Sequence, residues 1–369
     1  MDEAEFEAAG LYDPKAPNAA ERLEALRWLA AQGATIEQMI HASRRGVQLG
    51  AAGDRALRPT PTLTAEDVAA RIGVAAEQVR AITLAAGLRP GSADERVFTE
   101  TEAEIFRALI AGAAFLGPAA TKRLARIAGS CMAQIAEAVL ALYLVAAEAP
   151  LRAANASELT FAQANLRAIR SLDVLDVVLP VLFRAHLATA IRRQRSAQPA
   201  QSVDTLDLTV GFVDLVSFTT LSGRMSNREL DEVIDRFEES AHDVVAACDG
   251  RLVKLIGDEM MFVCVDASAA CDIALTIIER FEGDQAVRPR GALASGELLF
   301  RSGDYYGPIV NLAARLADLA VPHEILVTPE VAERAAAPEL RFAPAGRRML
   351  KGFDEPAAVL TVERRQGAR

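Results

Sequence analysis

The chain of 369 residues is too long for one ordinary domain, so two folded units are expected, each burying its own core. A formal charge of −10 leaves no basic footprint for phosphates, which disfavours nucleic-acid and anionic-lipid partners. The four cysteines form no Cys-x-x-Cys pair and read as reduced thiols of a cytoplasmic protein. The acidic opening Met1-Asp-Glu-Ala-Glu-Phe6 has no apolar run of the kind a secretory signal needs. The most apolar stretches, 132–149 and 174–191, carry Glu137 and Glu148, and Asp176, Pro180, Arg184 and His186, so no transmembrane segment is expected.

Residues 1–193 read as an all-α domain, rich in alanine and leucine, with apolar positions recurring at three and four. Asn18 is placed to cap a helix over 19–31, and Thr35 to open the next. Thr64-Ala-Glu-Asp67, Thr99-Glu-Thr-Glu102 and Thr101-Glu-Ala-Glu104 are capping-box patterns. A long helix is expected after Pro118 and another from about Phe161 towards Arg193. Residues 194–205 are polar and read as a linker. From 206 to 369 the texture changes. A strand over 206–214 precedes a helix over 227–247, and two strands meet at a Gly257-Asp258 turn. A helix over 268–281, a strand near 290–299, a helix over 308–319 and strands near 325–327 and 358–362 follow. The order βαββαβ with added strands predicts an α+β, ferredoxin-like second domain.

In that order the first and third strands are antiparallel neighbours. Asp214, ending the first, and Asp258, before the third, should therefore lie side by side at a sheet edge. Two close carboxylates repel, and a divalent cation such as Mg²⁺ shared with substrate phosphates relieves the repulsion.

Three segments carry a resemblance. Phe212-Val-Asp-Leu-Val-Ser-Phe-Thr219, Lys254-Leu-Ile-Gly-Asp-Glu-Met-Met-Phe262 and Gly303-Asp-Tyr-Tyr-Gly-Pro-Ile-Val-Asn-Leu-Ala-Ala-Arg-Leu316 closely resemble the signature segments of class III nucleotide cyclases. They stand in the family's order and spacing. The resemblance implies that Asp214, Asp258 and the Leu215 carbonyl hold two Mg²⁺ or Mn²⁺ ions per site. It assigns Lys254 and Asp304 to adenine: an ammonium donates to N1 and a carboxylate accepts from the 6-amino group, whereas guanine presents the reverse pattern. Lysine is scarce here, only Lys15, Lys122, Lys254 and Lys351 among 40 basic residues, and arginine's broad fork would not replace a compact donor at 254. Asn311 and Arg315 share a helix face. The family uses them to position the ribose and to stabilise charge on the α-phosphate. Lys351 resembles the triphosphate lysine, and Phe218 and Thr219 open a turn whose amides could cradle the β- and γ-phosphates. Ser217 stands where the family commonly has glycine.

The resemblance further implies a homodimer with composite sites, in which one chain supplies the metal carboxylates and its partner the base-reading, Asn and Arg groups. The layout resembles soluble actinobacterial adenylyl cyclases whose helical N-terminal domain regulates turnover in response to pH or long-chain fatty acid. A lipid effector could lie between apolar helices at 127–144 and 174–187, and His186, on the helix entering the linker, could bias the packing of the two domains. Residues 64–80 have helix-turn-helix spacing, with Ala69, Gly73 and Val79 at packing and turn positions. Their arginines are offset by Glu66, Asp67 and Glu77, against DNA binding. The competing reading is an inactive cyclase-like domain in a lipid- or nucleotide-sensing regulator.

Overall fold

Short polar caps begin the helices where the pattern of the chain changes. In the computed structural model Thr64, Thr99 and Ser226 each accept from the backbone amide three residues on, while Asp67, Glu102 and Glu229 reach back. The structure describes the chain except residues 45–50, 200–203, 217–222, 224, 285–286, 336 and 366–369, and the side chains of 51, 114, 198 and 199. It divides into two units, Met1–Arg184 and Ala185–Arg369.

The first unit is helical: α1 (Glu3–Ala8), α2 (Ala19–Ala31), α3 (Ile36–Arg44), α4 (Ala51–Leu57), α5 (Ala65–Ile72), α6 (Ala76–Ala85), α7 (Glu100–Leu116), α8 (Pro118–Tyr143), α9 (Ala149–Ala153) and α10 (Glu158–Ser171). A π-helical turn, Leu144–Glu148, joins α8 to α9. A 3₁₀ turn at Leu172–Val174 leads from α10 into α11 (Leu175–Ser196), so the helix expected to start near Phe161 is two helices. α11 crosses the division between the units and runs into the segment expected as linker. Asn18 precedes α2 but makes no capping bond; its amide donates to Glu158, 3.5 Å away. Thr99, not Thr101, caps α7.

The segment with helix-turn-helix spacing is a packed hairpin. Ala69 and Val79 are buried, and Gly73 turns the chain at φ +75°. Arg71 is paired with Glu100 and Arg80 with Glu66, so acidic neighbours offset both charges.

Length and composition alone would let two helical stretches cross a membrane. Pro118–Ala153 and Glu158–Ser196 each contain a window of mean hydropathy 1.7, and neither window is buried. Their outward apolar side chains include Leu142, Val145, Val177, Val181 and Phe183.

The second unit is built on one sheet: β1 (Gln198–Pro199), β2 (Thr205–Leu215), β3 (Arg251–Ile256), β4 (Glu259–Cys264), β5 (Pro289–Arg301), β6 (Asp304–Tyr306), β7 (Ile325–Val327), β8 (Leu340–Arg348) and β9 (Ala357–Arg364). The order is β3-β4-β2-β5-β7-β9-β8, with β1 on β2 and β6 on β5. Helices α12 (Asn227–Ala247) and α13 (Ala267–Arg280) bury Phe237, Ala241, Ile273 and Ile277 on one face of the sheet. Helix α14 (Pro308–Ala317) lays Ala313, Leu316 and Ala317 on the other, and α15 (Pro329–Arg334) follows β7. Strict alternation along β2 sends Leu208, Val210 and Phe212 to the α14 side and Val213 to the α12/α13 side.

β2 is an interior strand, flanked by β4 and β5. Asp214 and Asp258 therefore meet at the end of two central strands rather than at a sheet edge. Strand β8 escapes the sequence pattern because Pro344 and Gly346 bracket a register shift in an edge strand, where a missing donor is tolerated.

Gly211, in the middle of β2, has no room for a side chain: a Cβ there would lie 2.3 Å from the Phe262 ring and 2.7 Å from Leu293 Cδ2. Gly211→Ala is expected to overpack this core and lower unfolding free energy by about 1–3 kcal/mol in chemical denaturation. Unchanged stability would contradict the packing described.

Candidate active site

Three groups of side chains occupy the face and strand ends of the second unit. The first surrounds Asp214, which lies opposite Glu259 on β4 and opposite Arg290 on β5. Arg290 spans Asp214 with two bonds, Nε to Oδ1 at 2.9 Å and Nη2 to Oδ2 at 3.1 Å. Its remaining nitrogen donates to the Asp318 and Ala320 carbonyls at 2.8 and 2.9 Å, closing the C-terminal end of α14. One guanidinium thus ties a carboxylate to a helix end.

The Gly257-Asp258 turn brings the second carboxylate in. Gly257 adopts φ +64°, the conformation a two-residue hairpin requires of its first position. The Leu215 amide donates to the Asp258 carbonyl at 3.1 Å, fastening the turn to the end of β2. Burial, with the Asp214 charge, holds the Asp258 carboxyl above the usual carboxylate range, against its own backbone hydrogen bond and Arg290. Glu259 is pushed further, to about 7, by burial and then by Asp214, Asp318 and Asp258, with Lys254 opposing.

That crowding is the test of whether the donors fit a cation. Asp214, Asp258 and Glu259 strain against their own charges with Arg290 as the ion-paired cation among them. Each Asp214 oxygen keeps a lone pair beyond the one Arg290 uses. Among the described residues no three His, Cys, Asp or Glu side chains form a closed metal cage. The residues fit a hard divalent ion that takes two carboxylates and completes its shell from water and substrate oxygens.

The second group is Lys254 on β3 and Asp304 at the start of β6. The ammonium lies 2.6 Å from Asp304 Oδ2, and the Tyr305 amide donates to Oδ1 at 2.8 Å. A donor and an acceptor are thereby held side by side.

The third is the outer face of α14. Asn311 and Arg315 are exposed, one turn apart, while the opposite face is buried. Arg315 reaches Asp318 at 3.4 Å, a solvent-screened pair that leaves the guanidinium available. Lys351 is exposed in the turn between β8 and β9. Ser217, Phe218 and Thr219 lie outside the described residues. His186 is exposed on α11.

Two contributors were not found from the sequence. Arg290 has no local signature; only the β2–β5 register places it opposite Asp214. Glu259 is visible as the neighbour of Asp258, but its perturbation depends on burial.

The Glu259 carboxyl is raised from 4.5 to about 7, so folding favours its protonated form. Its stabilising contribution is full below pH 4.5 and is lost as pH rises through about 7. In chelator-treated protein, the wild-type melting temperature should fall relative to Glu259→Gln over that window. A gap between the two that does not change with pH would contradict the assignment.

No protein-family model matches the chain. It is 30% identical over 366 residues to Uncharacterized protein Rv2212 of Mycobacterium tuberculosis, covering 99% of this chain and 95% of that protein. It is 34% identical over 242 residues to an adenylate cyclase of Streptomyces coelicolor, covering 64% of this chain and 62% of that one. It is 28% identical over 361 residues to the pH-sensitive adenylate cyclase MT1302 of M. tuberculosis, covering 94% and 88%. Among solved structures, the adenylyl cyclase CyaB of P. aeruginosa aligns with 44% of this chain and 96% of its own, at 23% identity and a TM-score of 0.40. The chain is a homologue of bacterial adenylate cyclases.

Proposed function

We propose that the chain converts ATP to 3′,5′-cyclic AMP and pyrophosphate in a homodimer, through a ferredoxin-like βαββαβ catalytic domain controlled by the helical N-terminal domain. The observation that carries this reading is the Lys254–Asp304 pair. An ammonium beside a carboxylate complements N1 and the 6-amino group of adenine, while guanine would face each group with its own kind and leave buried polar atoms unpaired.

Asp214 and Asp258, with the Leu215 carbonyl, would hold Mg²⁺ or Mn²⁺, two per site; when bound, these ions supply Lewis acidity towards the ribose 3′-hydroxyl and neutralise triphosphate charge. Amides at Phe218 and Thr219, with the Lys351 ammonium, bind the β- and γ-phosphates. Asn311 orients the ribose so that its 3′-oxygen stands in line with the α-phosphorus. The new bond joins the 3′-oxygen to that phosphorus, and the bond to pyrophosphate breaks. Arg315 stabilises the charge that builds on the α-phosphate oxygens. The three motifs contain no histidine, and the 3′-proton would pass to solvent or to an oxygen ligand of a bound ion.

The homodimer reading is supported by the exposure of Asn311 and Arg315 and by exposed Ile256, Phe300 and Tyr306, apolar groups that a second copy would cover. The apolar flanks of α8 and α11 call for cover of the same kind, from a second copy rather than a bilayer. Four free thiols support a cytoplasmic location. As effector of the N-terminal domain we propose the proton, following the pH-sensitive relative. A long-chain fatty acid is the second reading, favoured by the apolar surface of the same helices.

Purified protein with Mn²⁺-ATP should yield cyclic AMP, and Mn²⁺-GTP far less cyclic GMP. Asp214→Ala and Arg315→Ala should each lower turnover by about 100-fold or more. Mixed in equal amounts they should recover about a quarter of wild-type activity, since half the dimers are mixed and each mixed dimer has one intact site. Absence of product from wild type would favour an inactive, ligand-sensing domain, and no recovery on mixing would sink the composite site.

A further inference from the structure

The β5–β6 hairpin that carries Asp304 is held to β3 at two points, and only one of them belongs to the base-reading pair. A register shift between Leu252 and Lys254 leaves Val253 as an extra residue in β3. Arg251 therefore stands opposite Val263, and Lys254 opposite Met261. Val263 and Met261 are two apart on β4 and share the α14 side of the sheet. Without the bulge, residues three apart on β3 would face opposite ways. With it, both cations reach the same hairpin.

Their partners differ in kind. Lys254 meets the Asp304 carboxylate, whereas Arg251 Nη2 donates to the Gly303 carbonyl at 2.5 Å, one residue earlier. The Arg251 guanidinium also lies over the rings of Tyr305 and Phe300, 5.5 and 5.8 Å from their centroids, and its Nη1 is 3.5 Å from the Tyr305 hydroxyl. Among the described residues it has no carboxylate partner. Arg193 of α11, half-buried, is its near neighbour in charge and also bonds Tyr305. The hairpin it grips is a tight one: Ser302 and Gly303 both adopt positive φ, +56° and +86°.

We infer that Arg251 is a positioning residue for base selection, holding the β5–β6 hairpin so that Asp304 keeps its place when the nucleotide enters. The inference rests on the reading of Lys254 and Asp304 as the adenine pair. An incoming base must exchange the 2.6 Å Lys254–Asp304 bond for bonds to its own edge. At that moment the side-chain ties from β3 to the hairpin that remain among the described residues are those of Arg251, of which the bond to the Gly303 carbonyl is the shortest. A hairpin free to drift would let Asp304 miss the 6-amino group and weaken the penalty against guanine.

The experiment measures kcat and KM for Mn²⁺-ATP and Mn²⁺-GTP in wild type, Arg251→Met, Arg251→Lys and Asp304→Asn. Methionine keeps apolar contact with Phe300 and Tyr305 but removes the fork. Arg251→Met should lower the ATP-to-GTP ratio of kcat/KM by about tenfold, mostly through a higher KM for ATP, the fold-change of one lost buried hydrogen bond. Arg251→Lys, with one donor retained, should recover part of the ratio. A merely structural role would lower both substrates together and leave the ratio where it was. If Asp304→Asn collapses the ratio while Arg251→Met does not, the inference is overturned and the adenine pair stands. If Asp304→Asn also leaves it unchanged, the reading of the pair itself fails. Should Arg251→Met not fold, Arg251→Lys decides: a drop of about two- to threefold supports the tie, and an unchanged ratio overturns it.

Discussion

Asp214 is a charge placed at the end of an otherwise buried strand, and most of the second unit answers to that placement. The residues before it are fully or nearly buried, Leu208, Val210 and Phe212 on the α14 side and Val213 on the other. A slip of one residue in β2 would turn Asp214 into the α12/α13 core and bring Val213 to the site, so the packing of both layers fixes the carboxylate's direction. Cross-strand pairing then supplies its neighbours. Glu259 and the Asp258 turn bring more negative charge, and Arg290 offsets part of it while anchoring the end of α14. The remaining imbalance is what suits the position to a divalent ion.

The Asp214 cluster and the Lys254–Asp304 pair are held in place by different chemistry. Around Asp214 the tie is one arginine with four acceptors. At the Lys254–Asp304 pair it is two cations on one face of β3, brought there by a single extra residue in the strand. In both places an ordinary element of sheet geometry does the positioning.

Much of this was legible in the chain before any coordinates. Capping boxes at Thr64 and Thr99 and the change from three-four spacing to alternation marked a helical half and a sheet half. The spacing of Asp214, Lys254, Asp258, Asp304, Asn311 and Arg315 carried the family resemblance because each lies in a contiguous motif. What was not legible depends on register or burial. Arg290 looks like any other arginine until β5 is laid beside β2, and Val253 looks like ordinary strand until its lack of a partner on β4 is seen. Strand β8 is broken by Pro344, and Asn18 resembles a cap but bonds Glu158 instead. The perturbation of Glu259 arises first from burial and then from three other carboxylates, contributed by β2, the end of α14 and the β3–β4 turn.

The central claim is that one chain's Asp214 and Asp258 bind the metal ions while its partner's Lys254 and Asp304 read the base. Crystals grown with Mn²⁺ and a non-cyclisable ATP analogue, measured at the manganese edge, test it directly. The account predicts anomalous peaks between Asp214 and Asp258 with the adenine on Lys254 and Asp304 of the other chain. Manganese elsewhere, or an adenine that touches neither Lys254 nor Asp304, would contradict it.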